Sequence, residues 1–215
     1  MGSYERGILG SFSGKVGSVV GSHWRGIDYM RSLPRKGNRS FSQAQQEQQL
    51  KFALAVNFMK PISSLVNLGF KNQAKQRLTG YNVAVQYTIK KAITGVFPDF
   101  VIDYPKVQIS EGPVPPSTNA AAESTAAATL HVTWVNNALT ETNAMGDDQV
   151  ILLVYNEAKS RYLYTVGDTI RETAEQEMTL PTDFTGDTVH VYISFVRRDG
   201  SKLANSTYVS AVVIL

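Results

Sequence analysis

Residues 188–215, TVHVYISFVRRDGSKLANSTYVSAVVIL, decide how the largest part of this chain folds. Val189, Val191, Ile193 and Phe195 alternate with His190, Tyr192 and Ser194. Successive side chains of a strand point to opposite faces, so a period of two predicts a β-strand with one apolar face. The same alternation turns His190 toward solvent. Asp199-Gly200 then tolerates the positive φ that a tight hairpin turn demands, and Thr207 to Leu215 reads as the strand that closes the sheet.

The pattern continues upstream. Leu130, Val132 and Trp134 alternate with His131 and Thr133, which places His131 on the outer face as well. Val150 to Tyr155 is apolar throughout, as a central strand is. Tyr162 to Val166 forms another strand. Met178 and Leu180 end one more before Pro181, which has no N–H to give to a ladder. About seven short strands separated by turn signals predict an antiparallel β-sandwich over 129–215. Trp134, Leu152, Val191 and Ile193 should lie inside it.

Residues 111–128 are low in complexity, with GPVPPSTNAAAESTAAA at 112–128, and read as a linker or an irregular first-strand region. Residues 42–110 carry helical signals. Ser42 can cap the amide of Gln45, whose side chain can reach back. Leu50, Leu54, Phe58, Ile62 and Leu65 recur at helical spacing. Pro61 removes a hydrogen bond within that run and should kink or split the helix near Lys60. Gly69 suits the stop. Thr79 can cap a further helix with Val85, Ile89 and Ile93 as its buried stripe and Gly95 at its end. Phe97 to Ser110 reads as extended chain.

The first 41 residues differ from the rest. Residues 7–40 run GILGSFSGKVGSVVGSHWRGIDYMRSLPRKGNRS. Glycines 7, 10, 14, 17 and 21 would form one seam of a helix, but each interior Gly costs roughly 1 kcal/mol relative to Ala. A β-hairpin is the preferred reading. Lys15 to Trp24 is one strand, Arg25-Gly26 the turn and Ile27 to Leu33 the return, pairing Trp24 with Ile27 and His23 with Asp28. The stretch is not a phosphate loop. Leu9 stands where the first glycine of G-x-x-x-x-G-K-[ST] is needed, and Val16 where the hydroxyl is needed.

Two resemblances follow from these residues. LHVTW at 130–134, LLVY at 152–155, MTLP at 178–181 and VHVYISF at 189–195 resemble a fibronectin type III or immunoglobulin-like module. Gly14-Lys15-Val16-Gly17 and Trp24-Arg25-Gly26, ahead of such a β domain, are similar to an uncharacterised family from Bacteroidetes, which implies no activity. The expected fold class is α+β. A glycine-rich β-hairpin arm (1–41) and a helical region with an extended end (42–110) precede the linker (111–128) and an immunoglobulin/fibronectin-like antiparallel β-sandwich (129–215).

Charge is divided unevenly. Residues 1–110 carry 15 basic and 5 acidic side chains, a net +10, while residues 111–215 carry 6 and 13, a net −7. Such asymmetry suggests an acidic partner for the basic half, either nucleic acid or the acidic half of another copy. The 215-residue chain has no cysteine, which excludes disulfides, a thiolate nucleophile and cysteine-ligated zinc. No apolar run is long enough to span a bilayer. The start of the chain lacks a basic segment followed by a continuous apolar one, so a cytoplasmic or virion-associated location is expected.

No catalytic constellation, cofactor motif or metal spacing appears. His23, His131 and His190 have no acidic residue at a ligand spacing, and Asp147-Asp148 lacks the spaced pattern of a calcium loop. The chain is therefore expected not to be an enzyme. Aromatic and cationic residues interleave in the arm, a composition that suits an interface core. Val19, Val20, Trp24, Arg25, Ile27, Tyr29 and Arg31 are the candidate interface residues. The leading expectation is a structural protein that self-assembles or joins a larger particle, such as a phage-like virion. Nucleic-acid binding through Arg35, Lys36 and Arg39 is one alternative. A carbohydrate-binding or hydrolytic β-sandwich is the other.

Overall fold

The computed structural model describes residues 3–4, 10–33, 41–75 and 78–215. It divides into two compact units, Met1–Gln43 and Ala44–Leu215. The first unit is a four-stranded antiparallel sheet of β1 (Ser3–Tyr4), β2 (Phe12–Val16), β3 (Val19–Trp24) and β4 (Ile27–Ser32), in chain order. The β3–β4 register pairs Trp24 with Ile27 and His23 with Asp28, as expected. Arg25 and Gly26 both take positive φ, 48° and 81°, which matches the twist of a two-residue hairpin turn. Lys15 to Trp24 is not one strand, however. Gly17 (φ +58°) and Ser18 turn the chain back, so β2 pairs with β3 and the arm is a meander rather than a single hairpin.

The second unit opens with α1 (Gln43–Met59), α2 (Ser63–Gly69) and α3 (Gly80–Lys91). Pro61 separates α1 from α2, where its missing N–H breaks the ladder. The Thr79 hydroxyl accepts from the Asn82 amide at 3.2 Å and caps α3. Gly95 does not end that helix. It lies in the hairpin of β5 (Ile93–Val96) and β6 (Asp99–Ile102). Leu50 is 42% exposed, because the first turns of α1 contribute no buried residue. Gly69 does close α2, but close packing is the reason for a glycine there: a Cβ would stand 2.0 Å from the Ile109 carbonyl oxygen.

The sandwich follows. One sheet has the order β10 (Arg161–Ile170), β9 (Gln149–Asn156), β12 (Thr188–Val196), β13 (Thr207–Val213). The other has the order β11 (Glu175–Thr179), β8 (Thr129–Val135), β7 (Thr118–Ala126). Strand β7 lies inside the stretch expected to be a linker or an irregular first-strand region. Its small side chains pair with β8 through two register shifts, so the alanine run fills an edge strand.

Two cores share the β9–β12 sheet. Val150, Leu152, Val154, Val189, Val191, Ile193 and Phe195 face the second sheet, where Leu130, Val132, Trp134 and Met178 meet them. Ile151, Leu153, Tyr155 and Tyr192 face the other way and pack with Phe58, Met59, Ile62, Leu65 and Phe70 of the helical segment. This second cover corrects the expectation for His190. It is buried, 8% exposed, stacked on Tyr104 with ring centroids 4.0 Å apart. His131, also expected at the surface, is half-buried near Glu123 and Glu175.

Candidate interaction surface

Strand pleating sorts the arm's candidate residues. Cross-strand partners share a face, so Val20, Trp24, Ile27, Tyr29 and Arg31 stand on one side of the β3–β4 ribbon. Lys15, the partner of Val20 on β2, joins them. Val19 falls on the opposite face with Met30. Arg25 sits in the turn, its guanidinium 5.7 Å from the Trp24 ring centroid.

Every residue of β4 is exposed. Met30 is 72% exposed, and Trp24, Ile27 and Tyr29 each between 41% and 45%. Both faces of the strand are open, and β4 is also the edge of its sheet. Beside Met30, an open depression of about 590 Å³ is lined by Ser18, Val19, Arg31, Ser32 and Leu33. One charge pair of the ribbon faces away from the aromatic side: His23 Nδ1 lies 2.6 Å from Asp28 Oδ1. The arrangement offers apolar area, aromatic rings, the three cations Lys15, Arg25 and Arg31 and an edge strand, all of which protein interfaces use. Arg35, Lys36 and Arg39, assigned to nucleic acid in the alternative reading, lie outside the described residues.

Two features of the second unit had no signal in the sequence. Asp148, just before β9, is fully buried between two arginines. Its Oδ2 accepts from Arg171 Nε and its Oδ1 from Arg197 Nη1, both at 3.2 Å. Arg171 also donates to Asn137 Oδ1 at 2.6 Å and the Pro115 carbonyl at 2.9 Å, and lies 3.8 Å over the Phe195 ring. Its own carbonyl accepts from Trp134 Nε1 at 2.9 Å. Burial pulls the Arg171 guanidinium below its ordinary pKa, and the Asp148 carboxylate partly restores it.

The other feature is an aromatic belt on the helix side of the sheet: Phe58, Tyr104, Tyr155, Tyr162, His190 and Tyr208. Tyr162 donates to the Phe58 carbonyl at 2.7 Å and Tyr192 to the Tyr104 carbonyl at 2.9 Å. Burial raises the hydroxyl pKa of Tyr104, Tyr162 and Tyr192. Among the described residues, no group of three or more His, Asp or Glu is placed to hold a metal, and no helix is long and apolar enough to cross a membrane.

A model of a family of unknown function (DUF6266) matches residues 11–210. No curated protein matches the chain. Solved structures similar to it include the fn3 domain of human collagen alpha-1(XX) chain, at 11% identity and TM-score 0.36, covering 47% of this chain and 86% of that one. The FN5 domain of Drosophila Lar is similar at 15% identity and TM-score 0.31, covering 47% and 97% respectively.

Proposed function

This chain belongs to the family of unknown function DUF6266, and from that premise we propose that it is a non-enzymatic structural protein. It associates with copies of itself, as a component of a larger particle such as a phage-like virion, through its N-terminal sheet. The observation that carries this reading is β4, an edge strand with all six residues exposed although Ile27, Tyr29 and Met30 are among them. Exposed apolar side chains on an edge strand are a liability in a monomer and an asset in an assembly. Pairing a neighbour's strand to β4 gains main-chain hydrogen bonds, and the Trp24, Ile27 and Tyr29 face gains cover. The net +10 of residues 1–110 and the net −7 of residues 111–215 favour contact between unlike halves of two copies.

Sedimentation velocity at physiological salt tests it. The full chain should run as an oligomer. The triple substitution Trp24→Ser, Ile27→Ser, Tyr29→Ser should run as a monomer with the far-ultraviolet circular dichroism of the β-sandwich retained. A full chain that sediments as a monomer overturns the reading.

A further inference from the structure

The second unit holds an aromatic groove. It encloses about 370 Å³ between α1, the β5–β6 hairpin and the ends of β9 and β10. Its walls include Phe58, Phe100, Tyr104, Tyr155 and Tyr162, and Glu157 stands among them in the turn after β9. The Glu157 side chain is 57% exposed, its carboxylate beside the Tyr104 hydroxyl and 3.6 Å from His190 Nε2.

The neighbouring charges leave that carboxylate uncompensated. Lys159 is paired with Asp187, Arg161 with Asp183 at 2.8 Å, and Lys106 with Asp103 at 2.6 Å. Among the described residues, no lysine or arginine lies within ion-pair distance of Glu157. His190 Nε2 does not neutralise it from 3.6 Å: burial favours the uncharged ring over the imidazolium more strongly than Glu157 opposes it. The groove also already holds a cation at its edge, since Lys51 Nζ sits 4.6 Å from the Phe100 ring centroid. A ring face presents the negative lobe of its quadrupole, so several rings around one free carboxylate form a receptor for positive charge.

We infer that this groove binds an organic cation, a guanidinium or alkylammonium group, with Glu157 as counter-ion and the Tyr104, Tyr162 and Phe100 rings as walls. A free ammonium and a peptide-borne guanidinium share this chemistry. Tetramethylammonium and N-acetylarginine amide distinguish them as probes.

The test is NMR titration of the full chain, following the tyrosine ring protons. One of the two cations should bind saturably and shift the Tyr104 and Tyr162 rings. Its neutral isostere, tert-butanol or N-acetylcitrulline amide, should bind at least about fivefold more weakly, the scale of one cation–π or partly exposed ion-pair contact. Glu157→Gln, at an exposed turn position, should weaken the cation by a similar factor and leave the neutral probe unchanged. Phe100→Leu should weaken the cation as well. The inference is overturned if neutral and cationic probes bind equally, if Glu157→Gln leaves the cation's affinity intact, or if no probe shifts these rings.

Discussion

Strands β4 and β9 are opposites within one chain. All six residues of β4 are exposed, whereas seven of the eight in β9 are buried. Strand β9 is apolar at every interior position because helices cover one of its faces and a second sheet the other. Strand β4 mixes Ile27, Tyr29 and Met30 with Asp28, Arg31 and Ser32, and its own unit covers neither face. A side chain's contribution to stability thus depends on what packs over the strand. The residues of β4 contribute little to the fold that presents them, which leaves their apolar character available for a partner.

Substitutions should separate the two regions. Asp148→Asn leaves two buried guanidiniums without their carboxylate. Breaking a buried ion pair in this way costs about 3–5 kcal/mol. Asp28→Asn on the arm weakens an ion pair whose side chains are 61% and 49% exposed, a loss that should cost less than about 1 kcal/mol. Urea unfolding of both variants makes the comparison. Equal losses would remove the distinction between a sealed body and an open arm.

An effect between these two is expected at Gly69. Alanine there drives its Cβ against the Ile109 carbonyl oxygen, which would stand 2.0 Å away, so backbone must move. Overpacking of this kind costs about 1–3 kcal/mol. If Gly69→Ala unfolds at the wild-type urea midpoint, α2 is less tightly held against the Ile109 segment than its geometry implies.

The residues announced some of this and concealed the rest. Local signals were legible. Arg25-Gly26 fixed the β3–β4 register, Pro61 split the helix, Thr79 capped α3, and alternation placed Leu130, Val132 and Trp134 inward. Non-local cover was not. The alternation of β12 assigns His190 to solvent, and only the Tyr104 segment lying over that face buries it. The Asp148 network is assembled from residues 23 and 49 positions apart in sequence, so no spacing reveals it. The candidate interface was legible as composition, but its division into two faces needed the register, which moved Val19 away from Val20 and Trp24.

The histidines give the finest measure of the difference between the regions. His23 lies on the open ribbon, whereas His190 is held between Tyr104, Tyr208 and Glu157 under the helical cover. Burial lowers the His190 pKa below its ordinary 6.5, and the opposing pull of Glu157 is weaker. The unfolded chain therefore binds the proton more readily than the folded one. Stability is unaffected by this group above its unfolded pKa and falls as the pH drops below about 6.5, with a slope of at most about 1.4 kcal/mol per pH unit. His190→Gln removes the titrating ring from both states. Its urea midpoint should change less than that of the wild type between pH 7 and pH 5, whatever the variant's stability at pH 7. Parallel losses in the two proteins would mean that the ring takes up its proton as easily beneath the helical cover as it does in water.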